Sequence, residues 1–350
     1  MIFNTRNFEK IRTLAVVLIS LLIAFLVISI ISEHPLKTIG IFLFEPIRTV
    51  SHIGNVVEMS IPLMFTGLSV VLLFRTNLFN LGAEGIFYFA AVVASSVAIR
   101  FAANAFFHPV VAVLAGAVVG ALLSAIPGIL KAKWNVNELV SSLMFNSILF
   151  GVGLYLLNYY LRDPQSFSNS SYKFRPSAML DVIVPGTRIH TGLIVALLCV
   201  AAGHYFMYRT KWGYELRMTG ANREFAEFSG INTTKVIIMV HLIAGFLAGM
   251  GGSIEVLGMY NRLQWTSLPG YGMDGALVAL LAKNNPVSVI GAALFLAYIR
   301  IGADQMARMS DVPAEMISII QAVIILLISA EQFLKFWKNR MLLKEAGVRE

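Results

Sequence analysis

The chain carries little charge. Asp, Glu, Lys and Arg make up 13% of its 350 residues, about half of the roughly 25% usual in soluble domains. A soluble protein of this length needs a charged skin, so that class is excluded. There is one cysteine, Cys199, set in an apolar stretch. No intramolecular disulfide can form, and the thiol says nothing of the redox compartment. Catalytic patterns are also missing. No G-x-x-x-x-G-K-[ST] phosphate loop occurs, so this chain does not bind and hydrolyse ATP in the Walker manner. H-E-x-x-H, G-x-S-x-G and Cys/His metal spacings are absent too, and the sequence offers no catalytic residue and no metal ligand set. No low-complexity tract, internal repeat or soluble-domain boundary stands out.

What the chain has in excess is apolar sequence. Hydrophobic residues reach 57% against roughly 45–50% in soluble domains, and the mean hydropathy is +0.76. This is the composition of an integral membrane protein. A span needs about 20 mostly apolar residues to cross about 30 Å of hydrocarbon. Charge-free runs that meet or approach this are Thr13–Ser32, Phe101–Leu130, Leu139–Leu161, Ile189–Tyr208 and Val236–Ile254. Shorter ones are Met59–Phe74, Gly85–Ile99, Asn284–Ile299 and Met316–Ala330, with Gly275–Ala282 shorter still. The expected fold is all-α and polytopic, with about ten transmembrane segments. One or two of them, in the seventies to eighties and near 275, are broken or re-entrant. The first run follows Arg6, Lys10 and Arg12 in the manner of a secretory signal. It is too long and lacks a cleavage site, so 13–32 is read as a retained first helix.

The net charge of +8 points to basic cytoplasmic loops rather than to nucleic acid. With the N-terminus inside, the inner set holds Arg75, Lys131, Lys133, Lys283, the basic loop 209–235 and the tail 335–350. Most of the 27 basic residues then fall inside, which places both termini in the cytoplasm. The loop Arg162–Arg188 falls outside. It is polar, with Pro164, Pro176 and Pro185, and reads as a solvated connector or as a docking surface for an external partner. In the inner loop, Phe225 and Phe228 lie three apart on one helical face beside Glu224 and Glu227, and Gly230 is a helix stop. Such a short amphipathic helix either lies on membrane lipid or inserts into a groove of a cytoplasmic protein.

Polar residues at membrane depth are costly and mark cavities or bundle interiors. Arg75-Thr-Asn-Leu-Phe-Asn80-Leu-Gly-Ala-Glu84-Gly85 interrupts two apolar runs with amides, a carboxylate and glycines. It reads as a solute path at a broken helix or as a turn capped by Asn80. Asn137 and Asn146 lie on opposite faces of one helix and serve different neighbours. Glu255 lines the path, caps a helix or pairs with Arg262; Asp274 reads as structural. Among the histidines, His108, His190 and His204 fall near run ends, where water is close. His241 is weighed as a proton relay against a histidine bonded to a neighbouring helix. Gly116-x-x-x-Gly120 and Gly245-x-x-x-Gly249 are close-packing signals, and Arg300 with Asp304 reads as a helix-end ion pair.

Several segments resemble one family in order. Leu78-Phe-Asn-Leu-Gly-Ala-Glu-Gly85 resembles the F-N-[IL]-G-x-E-G signature of permeases in the ABC branched-chain amino-acid and simple-sugar family. Trp134-Asn-Val-Asn-Glu-Leu-Val-Ser-Ser-Leu-Met-Phe-Asn146 is similar to its N-E-x-x-[ST]-[ST]-x-M-x-N helix. Residues 216–231 resemble its L-R-x-x-G-x-N-x-x-A-A-x-x-x-G-I coupling segment. The runs 254–258 and 270–281, with Asn284-Asn-Pro286, resemble the nucleoside-transporter branch. Three positions depart: Phe225 replaces an alanine, Ile86 a glutamine and Ala276 an isoleucine.

The resemblance implies a single permease domain over 1–350 with its core at 55–334, acting as a multi-pass subunit of a nucleoside importer in the bacterial cell membrane. Its partners would be a second, different permease chain, a cytoplasmic ABC ATPase that binds the ATP and Mg, and an extracytoplasmic nucleoside-binding lipoprotein. The chain itself would hold no cofactor. Glu215, Arg217, Gly220, Asn222, Glu224, Phe225, Phe228 and Gly230 would couple to the ATPase, while Asn80, Glu84, Asn146, Asn137 and Glu255 would belong to the substrate path. The alternatives are a simple-sugar importer and an ion-coupled carrier using Glu84, His241 or Glu255. An intramembrane enzyme lacks any nucleophile–base pair.

Overall fold

The computed structural model describes residues 32–313 continuously, with isolated positions before and after them. The expected first helix, the segment Met316–Ala330 and the basic tail therefore lie almost wholly outside the described residues. Within that range the chain is helical: α1 (Pro35–Arg48), α2 (Val50–Arg75), α3 (Ala83–Arg100), α4 (Phe107–Trp134) and α5 (Glu138–Leu156). A wider helical turn, Leu157–Leu161, extends α5. Then follow α6 (Gly192–Arg209), α7 (Lys211–Ala221), α8 (Arg223–Phe228), α9 (Thr233–Met259), α10 (Tyr271–Leu281) and α11 (Ser288–Met309). Among the described residues, extended pairing is limited to two isolated bridges, Arg162 with Ser171 and Val182 with His190.

Seven described helices, α2 to α6, α9 and α11, are long and apolar enough to cross a membrane, and α10 is a shorter apolar helix. About ten segments are expected from the sequence; two of them fall outside the described residues, and the weakest is α10. Charge-free runs misplace some boundaries. α2 begins at Val50, well before Met59, because the helix runs through His52 and Glu58 without a break. α11 likewise runs past Ile299 and Arg300 to Met309. A hydropathy rule stops at a charge, whereas a helix stops only when its backbone bonds fail. α1 was not expected; Pro35 stands in its first turn, where a missing N–H costs nothing.

Contacts divide the chain into two units, Gly54–Ala297 and a terminal unit of Met1–Ile53 with Tyr298–Glu350. In the terminal unit, Asp311 accepts from the Ser32 hydroxyl at 2.7 Å and from the Glu33 amide at 2.6 Å. These bonds, the Ser32 one foremost, hold its carboxyl below the usual range. Tyr298 donates its hydroxyl proton to the Leu43 carbonyl. Asp304, expected with Arg300, accepts from Arg308 Nε at 3.0 Å.

The larger unit is built around α2, in which every residue from Ser60 to Leu73 is buried. A helix apolar on all sides belongs in the interior. α9 packs along α4 and α3. The glycine spacings meet there: a Cβ on Gly120 would lie 2.5 Å from the Gly245 carbonyl oxygen, and one on Gly249 2.7 Å from that of Gly116. Only hydrogen fits at these crossings, so the backbones touch. On the other side of α4, Leu114, Val118, Leu122 and Ile126 are exposed four residues apart. Such a stripe suits lipid and not water.

The loop after α5 is held down rather than free. Ser171 N–H donates to the Leu263 carbonyl at 2.8 Å, Phe174 to Asn261 at 2.9 Å, Arg175 to Ala98 at 3.2 Å and Leu180 to Leu257 at 3.2 Å. Arg262 joins it through Asp163 at 3.9 Å and the Ser166 and Ser170 hydroxyls at 3.2 Å.

Replacing Gly120 by valine puts branched carbon where the Gly245 carbonyl sits. We expect a loss of about 1–3 kcal/mol, read as a lower melting temperature of the purified chain in detergent. Gly151→Val, at a position with nothing within 4 Å, should leave the melt unchanged.

Candidate translocation path and docking segment

The interruption after α2 is where the sequence places it. Arg75 ends α2, Asn77 adopts a left-handed φ of 58°, and α3 restarts at Ala83. The backbone freed by the break is satisfied by side chains. Asn80 folds back, its Oδ1 accepting from the Gly82 amide at 2.7 Å. Ser142 Oγ accepts from Leu81 N–H at 3.1 Å. Asn146 uses both ends of its amide, accepting from Gly85 N–H and donating to the Leu81 carbonyl, each at 2.9 Å. Glu138 pairs with Lys131 at 2.8 Å and accepts from Phe79 N–H at 3.4 Å. A break at this depth survives because protein replaces water as the partner of its amides.

Glu84 is spent on another helix. Its carboxylate accepts from the amides of Gly270 and Gly272, each at 2.6 Å, and of Met273 at 3.2 Å. These are the unpaired donors that open α10, so an acid of α3 caps a helix far along the chain. Gly270 has φ 88° and Gly272 lets the backbones meet: a Cβ there would lie 2.7 Å from the Ala83 carbonyl carbon. Three of the expected path residues, Asn80, Glu84 and Asn146, thus meet in one knot. The Nδ2 of Asn80 is buried without a hydrogen-bond partner. Asn137 stands apart, exposed, and caps α5 by accepting from Leu139 N–H at 3.0 Å.

Glu255 gathers with His190 and with Glu58, a residue not singled out in the sequence. One ligating atom from each of the three lies within 4.8 Å of the others, and all three side chains are buried. Tyr271 at the start of α10 donates to Glu255 Oε1 at 3.1 Å. A metal centre would need the His190 Nε2 lone pair, with Nδ1 carrying a proton toward an acceptor. Instead Nδ1 accepts from Gly192 N–H at 3.2 Å. Burial pulls the His190 ring down to about 4. Its Nε2 is buried without a hydrogen-bond partner. His108, expected near water, is fully buried as well and sits 2.8 Å from the Ser177 hydroxyl. His241 bonds to the Ile237 carbonyl of its own helix at 2.9 Å rather than to a neighbour. A glutamate inside a helix that runs past a charge-free window was the signal for Glu58.

The amphipathic segment forms as read. Asn222 caps α8 by accepting from Phe225 N–H at 2.9 Å, and Gly230 with φ 82° ends it. Ala226 is fully buried, whereas Phe225 is 56% and Phe228 93% exposed. Glu227 is held below the usual carboxylate range by the Thr233 hydroxyl and by Arg223, 3.2 Å away. Glu224 is exposed, and Glu215 lies 3.8 Å from Lys211. Arg217 lies over the Tyr208 ring at 5.2 Å. Gly220 touches the end of α2, where a Cβ would lie 2.9 Å from Thr76 Cα. The end of α7 therefore rests on the residues that lead into the break.

Over residues 52–329 the chain matches the family described as Branched-chain amino acid transport system / permease component. It is 33% identical to the guanosine ABC transporter permease protein NupP of Bacillus subtilis, over 85% of this chain and 86% of that protein. It is 31% identical to the glucose ABC transporter permease protein TsgB13 of Haloferax volcanii, over 88% and 84%. The nucleoside ABC transporter permease protein NupB of Lactococcus lactis is 26% identical over 92% of each chain. No solved structure matches.

Glu84→Ala leaves three amides at the start of α10 without their acceptor. Charge-assisted bonds are worth about 1.5–3 kcal/mol each, so the melting temperature of the purified chain should fall clearly, with Glu84→Gln intermediate. An unchanged melt for Glu84→Ala would show that α10 finds another cap.

Proposed function

The chain belongs to the family of permease components of the branched-chain amino acid transport system, and we propose that it is the membrane-spanning subunit of an ATP-driven importer of nucleosides. It is a multi-pass protein of the bacterial plasma membrane. The observation that carries the substrate class is its likeness to a guanosine permease along most of both chains. The likeness to a glucose permease favours a simple sugar as the second reading.

In the proposed arrangement both termini are cytoplasmic. A second permease chain completes the path, and an extracytoplasmic binding protein docks on the outer loops, including Arg162–Arg188. A cytoplasmic ATPase binds ATP and Mg and meets α8, where Phe225 and Phe228 fill a groove on it. An aromatic side chain 93% exposed to water is the kind of anchor that a partner's pocket buries. The solute passes the broken segment between α2 and α3. There Asn80 brings a spare amide donor, suited to a ribose hydroxyl or a base edge, while Glu84 and Asn146 hold the wall. Asn137 and Glu255 have no direct part in this scheme. For the ion-coupled alternative, Glu84 is bound by three amides and His241 by its own helix, which leaves Glu255, buried beside Glu58, as its candidate carboxylate.

Cells that express the permease with its ATPase, second permease and binding protein should take up labelled guanosine in an ATP-dependent way. Excess unlabelled glucose should not compete; competition would move the assignment to sugars. Phe228→Glu should abolish uptake while the amount of permease in the membrane stays the same. Asn80→Ala should lower uptake about tenfold, the loss of one hydrogen bond to substrate in a dry site. Retained uptake in Phe228→Glu would remove α8 as the docking element.

A further inference from the structure

Arg75 stands where three elements converge. It ends α2, and its guanidinium reaches two others. Nε donates to the Asn284 carbonyl at 2.9 Å, and Nη2 donates to the Tyr208 hydroxyl at 3.2 Å. Asn284 belongs to the turn that closes α10: its amide returns to the Ala279 carbonyl at 3.0 Å, and Lys283 and Asn284 both have left-handed φ, 51° and 54°. Two consecutive non-glycine residues in that region are held by their surroundings at a cost. A cation at a helix C-terminus meets the negative end of its dipole. Tyr208 lies in the last turn of α6, and its ring carries Arg217 of α7 at 5.2 Å. The backbone of Arg75 is itself in contact with α7 at Gly220, where a Cβ would lie 2.9 Å from the Arg75 carbonyl carbon.

α10 is therefore gripped at both ends. Its 11 residues make a rod of about 16 Å at 1.5 Å per residue. Glu84, beside Asn80 and Asn146, holds its N-terminus. Arg75, beside the docking segment, holds the turn after its C-terminus. A rigid element fixed to two places cannot follow one without moving the other. The backbone of Arg75 also leads directly into the broken segment, since Thr76 and Asn77 follow it.

We propose that Arg75 is the positioning residue through which movement of the docking segment α7–α8 reaches α10 and the translocation path. It touches neither ATP nor solute. It transmits because its planar fork bonds two elements at once, which lysine, as a point charge, cannot reproduce. This rests on the importer reading above. Loss of the Arg75 link uncouples ATP use from import and leaves each process its own machinery.

The test uses the complete importer in liposomes, with labelled guanosine as the probe, and reads guanosine imported per ATP hydrolysed. Wild type first shows that import depends on ATP; if it does not, the importer reading fails and not this one. Arg75→Gln should reach the membrane in normal amount and retain ATP hydrolysis, while the import ratio falls about tenfold, within the range of couplings carried by such networks. Tyr208→Phe removes the hydroxyl acceptor and keeps the ring under Arg217; it should lower the ratio about threefold. The double variant should be no worse than Arg75→Gln alone, because both cut one link. Losses that multiply independently, or an unchanged ratio in Arg75→Gln, overturn the proposal. Should Arg75→Gln fail to assemble, Tyr208→Phe decides by itself: a ratio equal to wild type overturns it.

Discussion

One constraint governs the larger unit: at membrane depth, a backbone amide without an intrahelical partner needs a side chain, because water is absent. The helix that restarts at Tyr271 has several such amides, and the Glu84 carboxylate takes three of them. The same rule explains Asn146, which binds an amide and a carbonyl of the broken segment at once, and Ser142, which takes another. The residues that look most like substrate ligands in the sequence are thus first of all the structural partners of an interrupted backbone. In the proposed path such groups are already bonded to the backbone around them. Its polar atoms face fixed neighbours, and only the Asn80 amide keeps a donor in reserve among them.

Close helix contact is the second requirement. α4 and α9 meet at paired glycines, and the carbonyl of one helix rests on the Cα hydrogens of the other. Between apolar surfaces in lipid there is no hydrophobic gain to drive association, so van der Waals contact of this kind decides it. The small unit at the chain's ends shows a different economy: Asp311 collects a hydroxyl and an amide near the surface.

How much of this was legible depends on sequence distance. α8 was readable because all its signals are local: Phe225 and Phe228 three apart, and Gly230 two residues beyond. The break near Asn80 was readable for the same reason, since amides, an acid and glycines interrupt an apolar run. The role of Glu84 was not, for its amide partner Gly270 lies 186 residues away and nothing in either segment names the other. Glu58 escaped because a charge-free window ends at the charge, although the helix does not. His190 looked like a residue at a wet end of a run; its ring is instead buried against Gly258 of α9.

The loop between Leu161 and Gly192 carries a consequence of its own. Its backbone is stitched to the ends of α3 and α9 and to the segment after α9 at Leu257, Asn261, Leu263 and Ala98. A segment already frozen in this way has given up its conformational freedom during folding. A protein that meets it from outside finds a finished shape, and binding incurs no further ordering entropy on this side, which is roughly 1–2 kcal/mol of backbone freedom for each residue that would otherwise have to settle. On the proposed reading, a binding protein that docks there meets a surface whose backbone is fixed in advance, so docking does not wait for the loop to fold.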